Sequence, residues 1–492
     1  MKNRLYILIV FMITSVSINA QPATNKDGQK SNYRNVYWIH GLSGDVNSLK
    51  TLSDYFRERY KINSYYPGYP TNRGVEEAAY QLSGLGIGLQ RDDDIVIAHS
   101  MGGLVSRQYY KDFANRRFGG IMTLNTPHQG AEFAQSFDNG KIKTFFTKVT
   151  TDGFDGYNNM SVHVADSRKY HENVLEEMAV YESLNDIRDD ITLVGVIAGN
   201  VLGNPLASWS VDALTTAAFV LIVDKFTEAL KDNVATVIGL AATTVFGTEE
   251  EEWTYSKDDL KPNSQIVKGL NNSPIDCPRI AITGTVDDRP GMRFLGSRIS
   301  AMQQENPGIG DIDDGVFIKY TDAIITDSWK CKDKYARLYR AGSWLTLGLS
   351  NSYFSKRRDA FSRQARFWEN GFERAYQDCL GSVYYTTETR TYTVWENVCN
   401  NGPVRVAMIP IIGDDDNEDC MQLVTKTYTV KVQRMHPNDG IVTLPSQKGM
   451  AGGTKYNIPN SDHEKVKRSW RTVNYIDSQF RERNGYFYCE SK

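Results

Sequence analysis

No cysteine occurs before residue 277, and none of the six that follow, Cys277, Cys331, Cys379, Cys399, Cys420 and Cys489, is spaced as Cys-x-x-Cys. That argues against zinc ribbons and thioredoxin-like redox centres. An excess of one charge is missing too: 56 basic against 59 acidic residues leave a formal charge of -3. Without an overall positive field, a nucleic-acid partner is not expected. Histidine is scarce, with only 7 residues, so a search for an imidazole base is short. What is present is ordinary: 40% hydrophobic and 23% charged residues with 39 Gly and 15 Pro, against collagen-like, disordered and multispanning classes.

The N-terminus reads as an export signal. Lys2 and Arg4 precede an apolar run from Leu5 to Ile13, and small polar residues follow; this is the pattern of a secretory signal peptide, with cleavage expected after Ala20. The run is far shorter than the roughly 20 apolar residues a bilayer span needs, so no transmembrane span is expected after cleavage. The expected location is secreted or periplasmic. In an oxidising compartment six cysteines suggest up to three disulfides. Cys399 with Cys420 is the pair to expect, because they bracket a loop between strand-like runs, Tyr384 to Val398 and Met421 to Val432.

Asn35 to Gly41 looks like a buried strand ending in a tight turn, Asn47 to Tyr60 and Val75 to Leu85 read as amphipathic helices, and Asp94 to Ala98 as a second buried strand. Strands alternating with helices predict a central, mostly parallel sheet. Such sheets place their chemistry just beyond the carboxyl ends of the strands. There, Ala98-His99-Ser100-Met101-Gly102-Gly103 turns abruptly from strand to helix with Ser100 at the apex. Small residues on either side let strand and helix approach, the pattern of a nucleophile elbow. A serine nucleophile needs a base and prepositioned oxyanion donors. By position, the backbone N-H groups of Leu42, in His40-Gly41-Leu42-Ser43-Gly44, and of Met101 are the expected donors. His40 and His99 read as structural.

His40-Gly41-x-x-Gly44, Ala98 to Gly103 and Thr123-Leu124-Asn125-Thr126-Pro127-His128-Gln129-Gly130 together resemble α/β-hydrolase lipases and esterases, particularly secreted bacterial triacylglycerol lipases and the GPI inositol-deacylase-like serine esterases. The motifs lie between residues 35 and 132, and Ala98 departs mildly from the usual glycine. The resemblance implies an α/β-hydrolase fold and ester hydrolysis through a Ser-His-Asp triad. His128 belongs to the motif as loop support.

If the chain order is Ser, then acid, then His, the base is His436 or His463. His463, in the loop-then-helix segment Pro459 to Glu464, is favoured. For the acid, Asn438-Asp439-Gly440-Ile441-Val442 is similar to the segment bearing the acid in secreted bacterial lipases, which points to Asp439. Asp287 and Asp288 remain open, since they end a buried-strand pattern from Arg279, and Glu132 is a third candidate.

The remaining length reads as insertions in one hydrolase domain: signal 1-20, first core half 21-131, helical cap or lid 132-272, core strand 273-290, a partly β, tyrosine-rich, disulfide-supported insertion 291-434, and a C-terminal core segment 435-492. An apolar stripe from Phe219 to Val245 at helical spacing fits either a mobile lid or a core helix of the cap. The acidic runs Asp311 to Gly315 and Asp414 to Asp419 lack full EF-hand spacing and read as solvated loops. No metal or cofactor is expected. The expected function is a secreted hydrolase of carboxylic esters, with an ester or lipid, including lipid at an interface, as its partner. A phospholipase, an acyltransferase and a catalytically inactive binding protein of this fold are the alternatives, because fold does not choose the acyl acceptor. Acyl chain, head group and oligomeric state are not written in the sequence.

Overall fold

A computed structural model describes residues 33-42, 44-84, 93-113, 118-153, 155-158, 254-273, 275-302, 304, 307-345, 351-397 and 421-492. The export signal, the Phe219 to Val245 stripe, Cys399 with Cys420, and the Asp414 to Asp419 run lie outside these residues.

Six strands form one sheet: β1 (Arg34–Ile39), β2 (Ile62–Tyr65), β3 (Ile95–His99), β4 (Gly120–Leu124), β5 (Arg279–Thr285) and, after the hairpin described below, a last strand Thr454–Pro459. Their order is β2-β1-β3-β4-β5 followed by Thr454–Pro459, and every pairing is parallel. Parallel strands are covered on both faces, and strand alternation sorts the core accordingly. Val36, Trp38, Ile95, Ile97, Ile280 and Ile282 face one layer, where they meet Leu52 and Phe56 of α1 (Lys50–Arg59) and Val473, Ile476 and Phe480 of the Trp470–Arg481 helix. Tyr37, Ile39, Val96, Ala98 and Ile121 face the other, against α2 (Val75–Gly84) and α3 (Met101–Asp112). Helix, sheet and helix therefore form three layers, an α/β-hydrolase arrangement. The short strand β2 was not anticipated from the sequence; only Ile62 of its four residues is buried, so it carries little hydrophobic pattern.

The described parts of the first insertion are helical: α4 (Glu132–Asp138), α5 (Lys141–Thr151), Thr254–Leu260 and Gln265–Asn271. The second is partly β, as expected, through one hairpin of β6 (Val383–Asn397) and β7 (Met421–Met435) in antiparallel register, and the rest of its described length is mainly helical, with Pro290–Met302, Val316–Leu345, Asn351–Arg366 and Phe372–Cys379. It differs from its expectation in its cysteines. No disulfide forms among Cys277, Cys331, Cys379 and Cys489, all of which are buried. Aromatic packing supplies the cohesion instead: Phe317, Phe367, Trp368, Phe372 and Tyr376 join Phe145 and Val149 of α5 in the same core as the sheet. Burial pushes the Cys277 thiol up to about 11 and those of Cys379 and Cys489 up to about 12, the behaviour of inert structural thiols.

In the acidic run at Asp311, the Asp313 carboxylate accepts from the Gly315 N-H and pairs with Lys319, while Asp314 pairs with Arg293 and Lys465. Among the described residues, no helix is long and apolar enough to cross a membrane.

Candidate active site

Ser100 connects β3 to α3 with φ 54° and ψ -130°. A positive φ at a residue other than glycine is strained and persists only where the surroundings enforce it. Here the neighbours must be small. A Cβ on Gly102 would stand 2.3 Å from the His40 carbonyl oxygen, and one on Gly103 would stand 2.2 Å from Thr126 Oγ1. The same holds across the turn, where a Cβ on Gly41 would approach Ser100 Cβ to 2.6 Å. The loop after β1 is thus laid directly against the serine, in the position expected for the oxyanion donors Leu42 and Met101. Leu42 lines the pocket beside Ser100, and Met101 is the first residue of α3 and fully buried.

Tertiary packing brings Ser100, His463 and Asp439 into a single hydrogen-bonded chain. Ser100 Oγ and His463 Nε2 are 2.9 Å apart, and His463 Nδ1 donates to Asp439 Oδ2 at 2.7 Å. Asp439 is fully buried, and its second oxygen accepts the Ile441 and Val442 N-H groups at 2.9 and 2.6 Å. Its backbone carbonyl also accepts the His463 N-H at 2.8 Å, so acid and imidazole are joined twice. The Asp-Gly turn itself requires glycine: Gly440 has φ +90°, and a Cβ there would meet Phe294 Cβ at 2.5 Å. Turn and acid are therefore one feature.

The alternative acids are elsewhere. Asp287 and Asp288 are exposed, and what that strand end gives the site is a backbone contact: the Val286 N-H donates to the Asn438 carbonyl at 2.9 Å, docking the acid's turn against the end of β5. Glu132 is exposed and packs beside Gly381. Of the other histidines, His436 stacks on Tyr384 at 4.1 Å. His40 is buried, stacked on Tyr69 at 4.3 Å, and donates to the Gly41 carbonyl; burial holds its ring below the ordinary imidazole value. His99 donates from Nε2 to the His463 carbonyl at 2.9 Å, and burial, with Lys467 and His463 adding to it, pushes it well down. His128 lies between Arg107 and Thr123, likewise kept neutral by burial and then by the Arg107 charge. All three support loops.

Several supporting residues were not identified from the sequence. Asn125, at φ 49° just after β4, accepts the Gly284 N-H at 2.6 Å and donates to the Asp462 carbonyl; its place at a strand end was the available signal. Gln447 bridges Gly284 and Val442, and Tyr69 O-H donates to the His40 carbonyl. Asp462, beside the imidazole, caps Glu464 and Lys465 and accepts from Ser297. Burial pushes its carboxyl up to about 7. Apart from the Asp462 cap and the Gln447 bond to Val442, these contacts join residues far apart in the chain, up to 337 positions.

The pocket over Ser100 has an apolar lining of Leu42, Pro127, Phe133, Leu260, Phe294 and Ile441, and a charged one of Arg298, Glu464 and Lys467. No metal-holding group of acids, histidines or cysteines occurs among the described residues. The arrangement is that of a serine primed by an imidazole, which suits acyl transfer.

Residues 89–200, which include the Ser100 turn and the Thr-Pro-His loop, match the family described as PGAP1-like alpha/beta domain. No curated protein matches the chain. Among solved structures, similarity is found to an extracellular alpha/beta-hydrolase from a Paenibacillus species, at 18% identity over 23% of this chain and 52% of that one, with a TM-score of 0.19. The chain spans about half the length of that enzyme. An alpha/beta hydrolase fold protein from Burkholderia ambifaria is 12% identical over 52% of this chain and 74% of its own, with a TM-score of 0.24. A carboxylesterase structure from Nitrososphaera gargenis is 14% identical over 56% and 79%, with a TM-score of 0.23. Such distant likenesses say nothing about chemistry. The parallel sheet, the serine at the strand-to-helix turn and the PGAP1-like match together give this chain an α/β-hydrolase fold.

Proposed function

We propose that the protein is a secreted serine hydrolase that cleaves carboxylic esters, with lipid or acyl esters as its substrates. The observation carrying this reading is the continuous Ser100, His463, Asp439 hydrogen-bonded chain beneath a half-apolar pocket. In the reaction, Ser100 Oγ attacks the ester carbonyl carbon while His463 Nε2 takes its proton. The Leu42 and Met101 amides stabilise the oxyanion, where preorganised donors contribute most. Collapse of the tetrahedral intermediate breaks the carbon-oxygen bond to the alcohol, which leaves with the proton from His463. Water, deprotonated by the same imidazole, then releases the acid and restores Ser100. Asp439 fixes the imidazole tautomer and stabilises the imidazolium without taking the proton. Export is part of the proposal and is supported by Lys2, Arg4 and the run from Leu5 to Ile13.

A serine-directed phosphonate should label the wild-type protein at Ser100. Ser100→Ala should abolish labelling and reduce aryl-ester turnover by about 10⁴-fold or more with the thermal melting curve unchanged. Undiminished hydrolysis by the variant would refute the reading.

A further inference from the structure

The charged wall of the pocket is unbalanced. Arg298 Nη1, Lys467 Nζ and Arg468 Nη1 all converge on one carboxylate, Glu464, at 2.8, 2.7 and 2.8 Å. Glu464, Lys467 and Arg468 are largely buried, their side chains 6%, 8% and 12% exposed. The neighbouring acids do not restore neutrality. Asp314 is shared between Arg293 and Lys465, and burial pushes Asp462 up to about 7, so it carries only part of a charge near neutrality. Burial raises Glu464 on its own, but the surrounding cations more than reverse this and hold it ionised. At the reacting end of the pocket burial is the main cause that lowers His40 and His99, and Lys467 adds to it at both, opposed by Asp45 at His40 and by Glu464 at His99.

Buried charge without a counter-charge is costly. Arg298 has five N-H donors and Lys467 three, more than one carboxylate can take up. The direction of the wall is set by the imidazole. His463 must deliver its proton to the departing alcohol, so the alcohol part of the ester lies on the His463 side. Glu464 follows His463 directly in the chain, Lys467 lies in the short turn just beyond it, and Arg298 rests on Glu464. The apolar residues of the lining remain for the acyl part.

We propose that Arg298 and Lys467 bind an anionic group, phosphate or carboxylate, on the alcohol portion of the ester, so that the substrates are acyl esters of acidic alcohols. The inference rests on the ester-hydrolase reading above.

Three esters with one acyl chain test it: 1-butanoylglycerol, 1-butanoylglycerol 3-phosphate and butanoyl glycolate. At low ionic strength, kcat/KM for at least one anionic ester should exceed that of the neutral one by about tenfold, the preference should shrink with added salt, and glycerol 3-phosphate should compete. Whichever anionic ester is preferred identifies the anion as phosphate or carboxylate. Lys467→Met and Arg298→Met should each collapse the anionic-to-neutral ratio; the wild-type ratio and the competition decide the matter even where a variant fails to fold. Equal or faster turnover of the neutral ester, with no competition, overturns the proposal while leaving the hydrolase reading intact. Calorimetric titration of the Ser100→Ala protein with glycerol 3-phosphate and with glycolate separates the two readings. Binding of either anion without turnover of any ester by the wild type would sustain the anion site and refute the hydrolase, and absence of binding by both refutes the anion site whatever the turnover.

Discussion

Ser100 is held at a φ that costs a residue with a side chain on the order of 1–3 kcal/mol, and the turn is packed closely enough that a side chain at Gly102 or Gly103 would strike the His40 carbonyl or Thr126. Its partner imidazole is fixed with equal definition, because Asp439 accepts the Nδ1 proton with one oxygen while two backbone N-H groups occupy the other. An amide at position 439 would turn a donor or a weaker acceptor toward Nδ1 and lose the preference for the reactive tautomer. Asp439→Asn is therefore expected to lower kcat by about 10³- to 10⁴-fold in a steady-state aryl-ester assay. Asp287→Asn, at an exposed position, should leave kcat unchanged; the opposite pattern would return the acid's role to the end of β5.

At the scale of elements, the site lies where the loop after β1, the turn into α3 and the two C-terminal loops meet. The loop after β1 is positioned from both sides: Tyr69 holds the His40 carbonyl and stacks on its ring, while Gly41 lets the backbone lie against Ser100. A methyl group at Gly41 would displace either this loop or the serine by several tenths of an ångström or more. Misplacement on that scale is enough to cost about 100-fold in rate. Gly41→Ala should accordingly lower kcat by about that factor and slow phosphonate labelling, while circular dichroism remains that of the wild type. A variant with full activity would show that the loop does not supply the oxyanion donor.

At the scale of the whole molecule, the second insertion is built into the site. Tyr376 O-H donates to the Gly440 carbonyl at 2.8 Å, and Gln377 accepts from Asn438 at 2.9 Å, so the Phe372–Cys379 helix holds the turn that carries Asp439. Its aromatic cluster in turn locks to α5 of the first insertion, with Trp368 Nε1 donating to the Gly153 carbonyl. Tyr376→Phe leaves a buried carbonyl without its donor, which costs about 1–3 kcal/mol. The variant should show that loss in chemical denaturation together with a several-fold fall in kcat; a loss of stability with kcat intact would mean that the helix supports the fold alone.

The sequence by itself determined the parts whose signals are local. Unbroken apolar runs marked β1, β3 and β5, small residues around Ser100 marked the strained turn, and the spacing from Asp439 to His463 left room for the strand Thr454–Pro459 that separates them. Only the tertiary structure shows which of Asp439, Asp287 and Asp288 lies against His463, since each is an acid after a strand and it is Asp439 whose carboxylate the imidazole meets. It also decided that aromatic packing, not disulfides, holds the described second insertion, and that three cations share Glu464 beside the pocket. Periodicity and turn chemistry act over a few residues and can be read in order, whereas a carboxylate's role depends on which distant groups packing sets around it.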